Sequence, residues 1–199
     1  MSLRVIAGQA RGMKLKPVPG ERTRPIMDRV KEALFSIIGS DIKGANFLDL
    51  FAGTGSVGIE ALSRGAEFAL FTDMNGRAVN IVKQNLSHTC LHGRGKAIRR
   101  DAFKILAKPP ERRFQFVYVA PPQYRSLWLK TLQALDSNRD WHQAESKIIV
   151  QIDPKEYSPD AEFAHLKVCD KRVYGSTMLV FYRFTDRAVA AATLGETAT

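Results

Sequence analysis

The run Asp49-Leu50-Phe51-Ala52-Gly53-Thr54-Gly55-Ser56-Val57-Gly58 constrains this chain more than any other stretch. It follows a strand pattern at residues 46–51 and opens a helical pattern at 57–64, so the glycines lie where a strand hands over to a helix. Residues without a Cβ let the backbone approach a ligand closely at such a turn. The spacing Gly53-x-Gly55-x-x-Gly58 fits a dinucleotide fingerprint. Asp73, twenty residues after Gly53 and at the end of a second strand (68–72), is placed to accept hydrogen bonds from ribose hydroxyls. Asp49 then separates two candidate ligands. A carboxylate just before the glycines repels a pyrophosphate but suits the cationic methionine part of S-adenosylmethionine, which disfavours a nicotinamide-dependent dehydrogenase.

The pattern around this turn repeats. A helix is predicted at 76–87, strands at 96–99 and 116–120 with a helical turn at 103–107 between them, and a further helix at 126–135. Such βα alternation implies a parallel sheet with helices on both faces. The third strand ends in Arg100-Asp101-Ala102, where an acid can accept from an adenine amine or cap the next helix, and the two roles are compatible. The tail departs from the alternation. Strands at 148–152, 166–173 and 178–184, with Gly175-Ser176 as a turn, predict an antiparallel hairpin on the sheet edge. Before the core, residues 3–7 and 13–16 read as strands of a short basic hairpin, and Val30, Ala33, Leu34, Ile37 and Ile38 recur at helical spacing up to Gly39. This divides the chain into a basic arm (1–24), a core domain (25–186) and a polar tail (187–199).

Charge narrows the partners. The net charge is +10, of which residues 1–31 hold +6, which points to a polyanion met by the arm. No run of 18 apolar residues and no signal-peptide core appears, so no membrane partner and a cytoplasmic location are expected. Cys90 and Cys169 lie in no Cys-x-x-Cys pair and read as reduced, partly buried fillers; the His88/His92 spacing lacks a third ligand, so no metal is assigned. A monomer is favoured.

Several of these stretches together resemble the bacterial family of small-subunit (16S) ribosomal RNA guanine-N2 methyltransferases. They are Arg4-Val5-Ile6-Ala7-Gly8 with Arg11-Gly12 and Leu15, Thr23-Arg24-Pro25 with Arg29-Val30-Lys31-Glu32-Ala33-Leu34-Phe35, residues 48–55 with Gly58-Ile59-Glu60-Ala61-Leu62-Ser63-Arg64-Gly65-Ala66, and Arg172-Val173-Tyr174-Gly175. The resemblance implies a Rossmann-like class I methyltransferase fold, a mostly parallel seven-stranded sheet with an N-terminal hairpin, and S-adenosylmethionine as methyl donor. By position it implies that Asp49, Phe51, Gly53, Thr54, Gly55 and Gly58 hold the donor, Asp73 its ribose, and Asp101 with Ala102 its adenine. The implied partner is ribosomal RNA or the small subunit. Arg11, Lys14, Arg22 and Arg24 are candidates for its phosphates, and Arg172 is either another or a structural ion-pair partner.

The chain departs from that family at the fourth strand, where the motif of Asp or Asn, two prolines and an aromatic is replaced by Ala120-Pro121-Pro122-Gln123-Tyr124. An exocyclic base amine is a poor nucleophile that acceptors must orient for in-line attack. Ala120 offers no side-chain oxygen, leaving the Pro121 carbonyl, the Gln123 amide and a stacking Tyr124 as the acceptor site. Three functions stay open: methyl transfer to guanine N2 of small-subunit RNA, transfer to an N6-adenine or other amine of nucleic acid, and a catalytically weak RNA-binding or assembly protein.

Overall fold

The computed structural model describes residues 3–20 and 26–185. Strands β1 (Asn46–Asp49), β2 (Phe68–Asp73), β3 (Gly95–Arg99), β4 (Phe114–Val119), β5 (His142–Ile152), β6 (Leu166–Tyr174) and β7 (Thr177–Phe184) form a seven-stranded sheet in the order β3-β2-β1-β4-β5-β7-β6. The first five strands run parallel, and β7 is antiparallel to both β5 and β6. This is a Rossmann-like class I arrangement. Chain progress turns from one side of β1 to the other between β3 and β4, and ligands of open α/β sheets bind at the carboxyl ends of the strands flanking such a switch point.

Alternation along the strands feeds two apolar layers. Phe47, Phe116, Tyr118 and Ile149 pack with α1 (Asp28–Ile38), α2 (Ser56–Ser63) and α3 (Gly76–His88). Their neighbours Leu48, Val117, Ile148 and Val150 pack with α4 (Ala102–Leu106) and α5 (Leu127–Ser137) on the other face. Each such aliphatic or aromatic side chain contributes about 1.5–3 kcal/mol when fully buried. The predicted helix before the core is α1, whose Val30, Leu34, Phe35 and Ile38 form one buried stripe that ends at Gly39, φ 64°. The C-terminal hairpin turns at Gly175, φ 62°, as its sequence predicts.

Three local expectations need correction. The basic hairpin closes, with Val5 N donating to Met13 O at 2.9 Å and Leu15 N to Leu3 O at 2.8 Å, but regular pairing is limited to the bridge between Arg4 and Lys14. Tertiary acceptors take several other arm amides: those of Ile6 and Ala7 donate to Glu60, and that of Lys16 to Asn85. Next, β5 begins at His142, six residues before the expected start, because it follows Phe114 through a register shift that the polar residues 142–147 do not announce. Finally, Cys90 and Cys169 are exposed rather than partly buried.

Glu60 explains how the arm is held. Fully buried in α2, it accepts from the Ile6 and Ala7 amides at 2.8 and 2.9 Å, from Arg64 Nε at 2.8 Å, and pairs with Lys31 Nζ at 3.3 Å. Lys31 Nζ also donates to Arg4 O at 2.6 Å. Desolvation lowers the Lys31 pKa, the attraction of Glu60 only partly offsetting it. Gly8 passes so close to α2 that a Cβ there would lie 1.8 Å from the Ser63 carbonyl oxygen, and its positive φ of 83° also suits glycine.

Candidate active site

The loop between β1 and α2 is braced at nearly every residue. Leu50 N donates to Tyr118 O, Ala52 N to Thr72 O, Gly55 N to Ala52 O, and Thr72 Oγ1 returns a bond to Leu50 O. Gly53 (φ 51°) donates its amide to Asp73 Oδ2 at 2.9 Å, and a Cβ built on it would meet nothing within 4 Å, so it lies on an open floor. Gly58 does something else. Its absent Cβ leaves room for the Phe71 ring, 2.3 Å from where a side chain would begin, so it lets α2 approach the sheet. Phe51 turns to the opposite apolar layer, where it packs in part. Thr54 is held through its carbonyl by Asn85 Nδ2 at 2.9 Å.

Two polar atoms beside this loop, Asp49 Oδ1 and Ser56 Oγ, are buried without a hydrogen-bond partner among the described residues. Burial raises the Asp49 pKa to about 7, the Gly58 amide pulling it down and the charge of Asp73 pushing it up. A carboxylate so desolvated lacks a cation, and the ammonium of a methionine moiety supplies one. The residues present therefore fit S-adenosylmethionine.

The rim of the crevice follows from the ends of β2 and β3. Asp73 accepts from Gly53 N and Asn75 N, one on each oxygen, and so stands fixed with lone pairs to spare. Met74, directly after it, is 66% exposed, an apolar surface that the sequence did not lead one to expect; the signal was a large apolar residue following Asp73. Asp101 caps α4 through Oδ1, which accepts from Phe103 N and Lys104 N, so the capping role is present and Oδ2 takes no part in it. Ala102 is buried behind it. Asn85 was also missed. Its carboxamide ties the glycine loop at Thr54 O to the arm at Lys16 N and O, across 31 and 69 residues.

The acceptor loop leaves β4 beside β1, the two strands pairing up to Asp49 and Tyr118. Ala120 is partly buried, Pro121 buried, and Pro122, Gln123 and Tyr124 exposed. Tyr124 does not begin a helix: α5 starts at Leu127, and Tyr124 adopts φ 60°. Its amide donates to Glu156 Oε2 at 2.8 Å and its hydroxyl to Asp153 Oδ2 at 3.0 Å, leaving the ring 66% exposed.

Of the phosphate candidates, Arg11 and Lys14 are exposed on the arm, Arg172 pairs with Asp170 at 3.2 Å on the distant edge strand β6, and Arg22 and Arg24 lie outside the described residues. A larger concentration of charge lies elsewhere. A groove of about 970 Å³ around the β3 edge carries Arg77, Lys83, Lys96, Arg99, Arg100, Lys108 and Arg112 against one acid, Glu111. These cations come from α3, from β3 and the residue after it, and from the loop after α4, so no local charge run marked them.

Fold and crevice together define a Rossmann-like class I methyltransferase. The chain belongs to the family described as Conserved hypothetical protein 95, whose model matches residues 3–183. It is 37% identical to the "Putative rRNA methyltransferase YlbH" of Bacillus subtilis, with 91% of this chain and 98% of that protein covered. It is also 37% identical to the "Ribosomal RNA small subunit methyltransferase D" of Escherichia coli K12, over 75% of this chain and 74% of that one. Among solved structures, "Putative methyltransferase yhhF" from Escherichia coli superposes with a TM-score of 0.81 at 33% identity, covering 92% of this chain and 98% of that one.

Proposed function

We propose that this protein methylates ribosomal RNA with S-adenosylmethionine, and that its target is the exocyclic N2 amine of a guanine in the small subunit. The observation that carries the reading is Asp49: a buried carboxylate whose Oδ1 has no partner among the described residues, beside an open glycine floor, one strand from a loop that can receive a base. The relatives named as rRNA methyltransferases support the substrate class.

When bound, the donor supplies a sulfonium methyl that needs no metal or covalent nucleophile to activate it. The protein's share is placement. Asp49 would face the methionine ammonium, Gly53 and Gly55 would let the backbone close on the donor, Asp73 would receive ribose hydroxyls, Asp101 Oδ2 would accept from the adenine amine, and Met74 would cover the ring. On the acceptor side the Pro121 carbonyl and the Gln123 amide orient the base amine, and the exposed Tyr124 ring stacks on a base turned out of its RNA. Held in line by these acceptors, the amine nitrogen would accept the donor's methyl group and lose its surplus proton to solvent. Arg11, Lys14 and the basic groove along β3 supply phosphate contacts.

Incubation of the protein with methyl-labelled donor and small subunits lacking the mark tests this reading. Nuclease digestion should release one labelled nucleoside, N2-methylguanosine; labelled N6-methyladenosine would move the target, and no label at stoichiometric enzyme would overturn the activity. Ala120 favours a second reading, a donor-binding assembly protein that has lost turnover. Tight donor binding without transfer, unchanged by Ala120→Asp, would select it.

A further inference from the structure

Ala120 leaves a chemical gap at the point where a base amine must be oriented, and the sheet register shows what stands next to it. Parallel pairing of β4 with β5 ends at Val119 and Val150, so Ala120 and Gln151 are the next residues along the two adjacent strands. They share a face. Ala120 packs on the apolar layer that contains Tyr118, Ile149 and Leu179, and Leu179 is the register partner of Gln151 on β7. Gln151 is half-buried, and its Oε1 accepts from Tyr118 Oη at 2.5 Å. Tyr118 in turn is the register partner of Asp49 on β1. Asp49, Tyr118 and Gln151 thus form a polar row across three strands, beginning at the donor carboxylate and ending beside Ala120.

We propose that the Gln151 carboxamide oxygen, oriented by the Tyr118 hydroxyl, accepts an N–H of the target amine and so replaces the side-chain acceptor that position 120 lacks. The inference rests on the methyl-transfer reading above. An amide oxygen has two acceptor sites; Tyr118 uses one and leaves the other at the mouth of the crevice. Tyr118 is a reliable donor because burial, aided by the nearby charge of Asp49, raises its pKa well above the ordinary value and keeps its proton on. Gln151 is in this sense the acceptor's orienting group, and Tyr118 is a positioning residue that acts through it.

The test is steady-state methyl transfer to unmodified small subunits by the full chain and its variants, with donor affinity measured alongside by calorimetry. Gln151→Met, close in shape but without the acceptor, should lower kcat about a hundredfold, the scale of one oriented hydrogen-bonding group. Its KM and donor affinity should stay within about threefold of wild type, a split that mere loss of packing would not produce. Tyr118→Phe should lower kcat about tenfold. Adding Ala120→Asn to Gln151→Met should recover at least tenfold, since it returns an amide oxygen to the neighbouring position. Should Gln151→Met fail to fold, Gln151→Glu, which keeps an oxygen there, must retain kcat within about tenfold. Wild-type turnover with Gln151→Met within threefold of it, no recovery in the double variant, or a larger loss in Gln151→Glu would overturn the assignment while leaving methyl transfer standing. No transfer by the wild type would remove both.

Discussion

The loops after β1 and β4 leave adjacent strands at the same end of the sheet, yet they are built differently. In the donor loop the Leu50 and Ala52 amides are bonded to sheet backbone, and the side chains of Thr72, Asp73 and Asn85 hold Leu50 O, Gly53 N and Thr54 O. In the acceptor loop Tyr124 and Ser126 both take positive φ without being glycine, and Tyr124 is tied down by two acids at the end of β5. On the proposed reading, the braced side suits a small, constant ligand, and the exposed side suits a macromolecule that arrives with its own shape. The difference teaches that the departure at Ala120 falls in the less constrained of the two loops, next to a strand that carries a polar side chain, Gln151.

Several substitutions would break or sharpen this contrast. The largest effect is expected at Glu60, whose cluster fastens the arm to the helix behind the donor loop. Glu60→Leu leaves the Lys31 ammonium and two amides without their acceptor and should cost about 3–5 kcal/mol in urea unfolding, with donor affinity falling alongside. Asp49→Asn should weaken donor binding about a hundredfold or more by calorimetry.

The same change should stabilise the donor-free protein at neutral pH. Asp49 has a raised folded pKa of about 7 against an ordinary 3.8, so between those values the unfolded chain gives up a proton that the folded protein retains. Wild-type stability therefore falls as pH rises through that window, and Asp49→Asn escapes the loss. The gap between the two melting curves should widen from about pH 4 to 7 and then level off, at no more than about 4 kcal/mol, one pKa unit being about 1.4 kcal/mol.

Asn85→Ala removes three bonds between arm and glycine loop and should cost about 2 kcal/mol, lowering donor affinity while leaving the RNA affinity of the protein little changed. Donor affinity of the wild type should also fall about tenfold per unit below pH 7, because a cationic ligand needs the ionised Asp49. The smallest effect on folding belongs to the acceptor loop. Tyr124→Ala should change stability by less than about 0.5 kcal/mol and leave donor binding intact, yet raise KM for the RNA substrate. A strong loss of donor affinity in Tyr124→Ala would contradict the division into two independently built halves.

Much of the architecture was legible because it is written locally. A 3.6-residue stripe in α1, the strand-glycine-helix handover at Gly53 and Gly55, and the turn at Gly175 each depend on neighbours in sequence. The long β5 was not, since residues 142–147 carry no apolar alternation and become a strand only by pairing with β4. Nor was the basic groove, assembled from three separate segments.

By itself the sequence determined the element order, the place of the glycine loop, the acids that flank it and the missing oxygen at position 120, all of which are set by residue type and spacing along one stretch of chain. Only the tertiary structure decided that Lys31 meets Glu60, that Asn85 ties loop to arm, that Gly58 serves packing, and that Gln151 stands beside Ala120. Those facts depend on strand register and helix docking, which bring together residues tens of positions apart through the burial of the whole core, and no local pattern encodes such a meeting.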